Sequence, residues 1–97
     1  MTGKQKRHLR TIAHSLKPVV NLGKRGLSSE IKTEIEIQLL EHELIKLKVL
    51  ASCPISKKEC ADLLTHANSL EIVQIIGKTL TLYCPHPEEP KIELPSA

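Results

Sequence analysis

Aromatic side chains are almost missing: the 97 residues hold no Trp, no Phe and a single Tyr, Tyr83. A surface without flat rings cannot read RNA by stacking several bases on a sheet, so any recognition of nucleic acid leans on phosphates and shape. Cysteine is scarce too. Cys53, Cys60 and Cys84 form no Cys-x-x-Cys pair and fall at no metal-ligand spacing with the five histidines. That argues against a zinc site and for reduced thiols, with Cys60 packed on a helix face. No apolar run approaches roughly 18 residues and no charged-then-apolar leader is present, so neither a membrane span nor a secretory signal is expected, and the cytoplasm is the expected compartment. A catalytic constellation is lacking as well. His8, His14, His42, His66 and His86 are scattered, and Ser28 and Ser29 lie in no nucleophile-elbow pattern and are better explained as helix caps. An enzyme, a cofactor and a small-molecule substrate are therefore not expected.

What is present is an ordinary apolar content of 40% with 26% charged residues, as in a globular chain. The length suits one domain over residues 1–97, with a core over 2–84 and an extended tail over 85–97 that contains four prolines. A monomer is the expected state. Charge is unevenly spread. Residues 1–29 carry seven cations and no acid, while residues 30–97 carry seven cations and eleven acids. The halves therefore stand at +7 and −4, which suggests a basic face presented to a polyanion.

Two of the four glycines enclose two cations in Gly23-Lys24-Arg25-Gly26, between the apolar run Pro18-Val19-Val20-Asn21-Leu22 and a helix opening at Ser28 or Ser29. Glycines admit positive φ and close approach to the main chain, and a helix start adds unpaired N–H groups and a positive dipole end. Helix energetics alone would favour acids there. The cations imply an anion, and a nucleic-acid phosphate backbone is the candidate. The longer glycine-lysine-serine/threonine pattern of a nucleotide-hydrolysing loop is absent.

Thr2 and Gln5 make a capping box, and Leu9, Ile12, Ala13 and Leu16 repeat with helical period as far as Pro18, leaving Lys6, Arg7 and Arg10 on the wetter side. Pro18 to Leu22 reads as a strand. From about Ser28 to Glu43, Leu27, Ile31, Ile35 and Leu39 make a buried stripe, with Ile37 and Leu40 off it and expected to need a second contact, such as the N-terminal helix. Leu44 to Ala51 alternates, Ile45, Leu47 and Val49 on one face and Lys46 and Lys48 on the other. A third helix carries Cys60, Leu63, Leu64 and Ala67 and runs to about Ser69. Glu71 to Ile76 and Thr79 to Tyr83 form a hairpin about Gly77-Lys78. The order α-β-α-β-α-β-β predicts an α/β (α+β, two-layer) fold with a mixed four-stranded sheet, a parallel crossover between the first two strands, and the second and third helices on its apolar face.

The runs Leu16-Lys17-Pro18-Val19-Val20, Gly23-Lys24-Arg25-Gly26-Leu27, Glu41-His42-Glu43-Leu44-Ile45-Lys46-Leu47-Lys48 and Ile76-Gly77-Lys78-Thr79-Leu80-Thr81-Leu82-Tyr83 together resemble the CRM domain, named for chloroplast RNA splicing and ribosome maturation, in its bacterial stand-alone YhbY-like form. The resemblance spans roughly residues 2 to 95, four motifs in order. It implies an RNA-binding module, a fold similar to the C-terminal domain of bacterial translation initiation factor three, and association with precursors of the large ribosomal subunit. Members often place an arginine after the last strand's tyrosine; here that position is Cys84, and a cation is missing from the strand's end.

The site assignment is graded. Gly23 and Gly26 shape the loop, Lys24 and Arg25 contact phosphate, Arg25 with a two-pronged fork, and Lys6, Arg7 and Arg10 extend the track. Lys17 also suits a helix C-terminus for dipole reasons alone, Lys46 and Lys48 are equally at home as solvent-facing strand residues, and Lys78 suits a turn. The alternative to RNA is a protein-interaction adaptor using the acidic second helix, with Glu30, Glu34, Glu41 and an exposed Ile37.

Overall fold

The computed structural model describes residues 1–67 and 69–96, apart from the side chain of Ala67. Its elements are α1 (Gly3–Ala13), β1 (Pro18–Leu22), α2 (Ser29–His42), β2 (Leu44–Val49), α3 (Lys57–Ala67), β3 (Glu71–Ile76) and β4 (Thr79–Tyr83). The strands form one sheet in the order β1-β2-β4-β3, with β1 parallel to β2 and the other pairs antiparallel. Local chemistry sets the boundaries. Thr2 and Gln5 exchange the two bonds of a capping box, Ser28 caps α2 by accepting from the Ile31 amide at 3.3 Å, and Gly77, at φ +54°, turns the hairpin.

Alternation along β2 divides the core in two. Ile45, Leu47 and Val49 point to the face covered by α2 and α3, where they meet Leu22, Leu80, Leu82, Ile35, Leu39, Cys60 and Leu64. Leu44 points the other way, and with Val73 and Tyr83 it receives Leu9 and Ala13 of α1. The sheet-and-two-helix layering expected from the sequence holds for α2 and α3; α1 adds cover on part of the opposite face. Each buried leucine side chain contributes about 1.5–3 kcal/mol.

That position of α1 corrects one expectation. Ile37 and Leu40 are 50% and 55% exposed, because about 100° per residue turns both to the side of α2 opposite Ile35 and Leu39, with the sheet between them and α1. Leu63, expected on the buried stripe of α3, is also exposed. Cys60, Ala61 and Leu64 are the residues that face the sheet, and Leu63 sits roughly 110° from their centre. The third helix spans Lys57–Ala67 and Ser69 is not helical; Asn68 and the Ala67 side chain lie outside the described residues.

The tail, expected to be extended, instead turns about His86, whose Nδ1 accepts from the Glu88 and Glu89 amides at 3.1 and 3.0 Å, and it is fastened. Glu43 caps α2 at φ +65° with its side chain buried. Its carboxylate accepts from the amides of His86 at 2.8 Å, Lys91 at 2.7 Å and Ile92 at 3.0 Å. Ile92 and Leu94 then pack against the α1 cluster, and the Gln5 side-chain amide donates to the Pro95 carbonyl at 3.2 Å.

Candidate nucleic-acid interface

The Gly23–Gly26 segment is a tight turn. The Gly26 amide donates to the Gly23 carbonyl at 3.0 Å, and Lys24 and Arg25 occupy its two exposed central positions. Gly26 sits at φ +57°, and a Cβ there would lie 3.3 Å from Cγ of Pro54, so the position requires glycine twice over. Gly23 does not share that need. Its φ is not left-handed, and a Cβ would meet Ser52 Oγ at an ordinary 3.7 Å. The turn consumes the Gly26 amide and leaves the side chains of Lys24 and Arg25 exposed to an anion.

Arg25 reaches Glu30 at 3.7 Å, but the two side chains are 84% and 76% exposed. Such a solvated pair is worth about 0–1 kcal/mol and yields to a better anion. Among the described residues it is the only ion pair. Among the described residues, the other cations of the basic half, Lys4, Lys6, Arg7, Arg10, Lys17 and Lys24, have no acid within ion-pair distance.

The second basic feature is a groove on the sheet face beside α1. Leu9 and Ala13 anchor the helix, which leaves Arg7, Arg10, Thr11 and His14 along one flank of the groove. Lys46, Gln74 and Ile76 line the same depression, of about 550 Å³. Those three strand residues also line an adjoining depression of about 250 Å³, closed by Lys17, Pro18, Thr79 and Thr81. Register explains the gathering: Lys46 stands opposite Thr81 and Lys48 opposite Thr79 across β2 and β4, with Gln74 opposite Thr81 on the other side. Lys48 is two residues further along β2, about 7 Å nearer the turn.

The remaining contacts sit at the end of the sheet where β1 and β2 finish. The Leu50 amide donates to the Leu22 carbonyl at 2.8 Å, and the Val49 amide to the Lys78 carbonyl at 2.8 Å. Lys57 Nζ donates to the Gly77 carbonyl at 2.6 Å. Lys24, Arg25, Lys57 and Lys78 are thereby brought to one end of the molecule.

The family model of the CRS1/YhbY (CRM) domain matches residues 1–83. The chain belongs to this family. It is similar to the probable RNA-binding protein YqeI of Bacillus subtilis, 41% identical over 98% of this chain and 99% of that one. An RNA-binding protein of Haemophilus influenzae is 42% identical over 98% and 95% of the two chains. The solution structure of SAV1595 from Staphylococcus aureus, described as a candidate RNA-binding protein, superposes with a TM-score of 0.79 at 41% identity, covering 98% and 99%.

In this CRM chain the structure joins Arg7, Arg10, Lys17 and Lys46 in the groove. Lys48 stands between the groove and the turn. Lys6 is half-buried and does not line the groove, and Lys78 belongs to the hairpin end. Sequence reasoning missed Gln74, Thr79, Thr81, His14 and Lys57. The polar alternation in Thr79-Leu80-Thr81-Leu82 was the available signal for two of them; only the placement of α1 makes them a wall. Cys84, in place of an arginine, is half-buried with its thiol directed at the Ser69 carbonyl. Burial, with the Glu43 carboxylate nearby, pushes that thiol up.

Proposed function

We propose that this CRM chain binds RNA through its phosphate backbone, using Lys24 and Arg25 on the Gly23–Gly26 turn and a track formed by Lys48, Lys46, Lys17, Arg10 and Arg7, with Lys6 and Lys78 at its margins. The observation that carries the reading is the lack of internal compensation: among the described residues, a half-chain of seven cations meets one exposed carboxylate. Unpaired cations at the surface are attraction without a partner, and phosphates supply the partner at closely spaced intervals. The names of the relatives support RNA as the polyanion. Association with precursors of the large ribosomal subunit, in the cytoplasm, rests on the family resemblance. The chain acts here as a binding module, not a catalyst.

The test replaces Lys24 and Arg25 with Glu. RNA binding is expected to weaken by well over tenfold, since two attractions become two repulsions, while thermal stability changes little because both side chains are exposed. Binding like that of the parent refutes the turn as a contact.

A second reading has one observation in its favour. Glu30, Glu34, Ile37 and Glu41 lie on one exposed stripe of α2, at helical offsets that return to the same side. This acidic stripe, with an apolar residue at its middle, is suited to a protein neighbour within the same particle. High-salt washing separates the two: a phosphate-driven contact is released, whereas an apolar docking contact persists.

A further inference from the structure

We propose that the groove between α1 and the sheet takes one unpaired nucleotide with its base edge against Gln74 and Thr81, and so selects which base is bound. The proposal rests on the RNA-binding reading and adds specificity to it.

The groove's chemistry is divided between rim and floor. Arg7, Arg10 and Lys17 stand at its margins, as groups that hold a phosphate backbone do. The floor is different: beside Lys46, which lines both depressions, Gln74, Thr79 and Thr81 are neutral and carry acceptors as well as donors. A phosphate oxygen accepts only, so the Gln74 carbonyl and the threonine lone pairs are of no use to it. A base edge presents donors and acceptors side by side, and a glutamine amide matches it with two bonds in one plane.

Burial points the same way. Thr81 is only 3% exposed, yet among the described residues its hydroxyl has no hydrogen-bond partner, and no polar side-chain atom there is sealed off without one. The hydroxyl is therefore open to the groove it lines. Ile76, 61% exposed on the same face, supplies an apolar surface for the flat side of a ring. The two depressions, about 550 and 250 Å³, far exceed the roughly 30 Å³ of one water. Base reading here needs no aromatic platform, which this chain lacks, because selection by edge bonding requires only a cavity and an amide.

The test measures binding of single-stranded ten-residue oligomers of A, C and U, and of an RNA duplex of equal length, to the full chain and to Gln74→Ala and Thr81→Val. The parent is expected to bind single strands better than duplex and to separate the best from the worst oligomer by roughly tenfold or more. Each variant should cut that ratio to about twofold while leaving the log–log salt slope unchanged, because no cation is removed. Thermal melts of both variants check that the fold is intact, and Gln74→Glu, which keeps the side-chain size, is expected to change which oligomer is preferred. Equal binding of all three oligomers by the parent, or a ratio untouched by all three variants, overturns the groove. If that happens while Lys24→Glu with Arg25→Glu still abolishes binding, the RNA reading survives alone; if no RNA is bound at all, both fall.

Discussion

At the scale of single residues, Glu43 is the position whose chemistry departs furthest from its surroundings. A helix that ends with a left-handed φ ordinarily places glycine or asparagine there, and a larger side chain is strained by about 1–3 kcal/mol. Glu43 is kept at φ +65° and buried because its carboxylate is the anchor for three tail amides. Burial by itself would raise its pKa, but the amides of His86, Lys91 and Ile92 donate to the ionised form and outweigh it, so the carboxyl lies below its ordinary value. A depressed carboxyl contributes stability that is complete above the unfolded-state value of about 4.3 and is lost as the pH falls through the folded value. Glu43→Gln keeps the size but turns an amide toward one of the donors, and is expected to cost about 1–3 kcal/mol at pH 7. Urea unfolding at pH 7 and pH 3 checks it: the gap between parent and variant should narrow in acid. A gap of constant width would mean that ionisation has no part in holding the tail.

Among elements, the Gly23–Gly26 turn separates two glycines that look alike in the sequence. An alanine at Gly26 meets both a left-handed φ and the Pro54 ring at 3.3 Å, so Gly26→Ala is expected to destabilise by about 1–2 kcal/mol or more. Gly23→Ala meets only ordinary contacts and is expected to stay within about 0.5 kcal/mol of the parent. Paired thermal melts decide it, and equal losses would show that Gly23 also has a conformational duty. The same contrast marks what could be read in advance. The caps at Thr2 and Ser28, the alternation of β2 and the hairpin were legible because each depends on neighbours a few residues away. The stripe on α3 was displaced to Cys60, Ala61 and Leu64 because a period alone leaves the centre of a face open by a residue. The far side of α2 was expected to be covered because nothing in Ile37 or Leu40 states which face of the sheet α1 will take. That choice is made by Leu9 and Ala13 meeting Val73 and Tyr83, contacts across some seventy residues, and it also creates the groove. The cations of the proposed site were therefore legible as residues, and their neighbours on the floor were not.

For the whole molecule, charge and shape act together. The basic half supplies α1, β1 and the turn, and β2 adds Lys46 and Lys48 to the same sheet face, while Glu30, Glu34 and Glu41 project from α2, on the other side of the sheet. A net charge of only +3 thus hides a polarity that orients the protein before contact: the acidic side is repelled by a polyanion and the basic side approaches it. Orientation of this kind predicts a salt dependence set by the engaged face rather than by net charge. A single-stranded site that neutralises roughly five phosphates gives a log–log slope of binding against salt of about −3.5. Replacing Lys24 and Arg25 with neutral Gln removes two of those contacts and should flatten the slope to about −2, at about 0.7 per phosphate. Replacing Lys32 and Lys91, exposed cations outside the track, changes net charge equally and should leave the slope near its parental value. Titrations of one RNA across a range of salt concentrations measure all three. Equal flattening in the two double variants would mean that overall charge, and not the turn with its track, governs association.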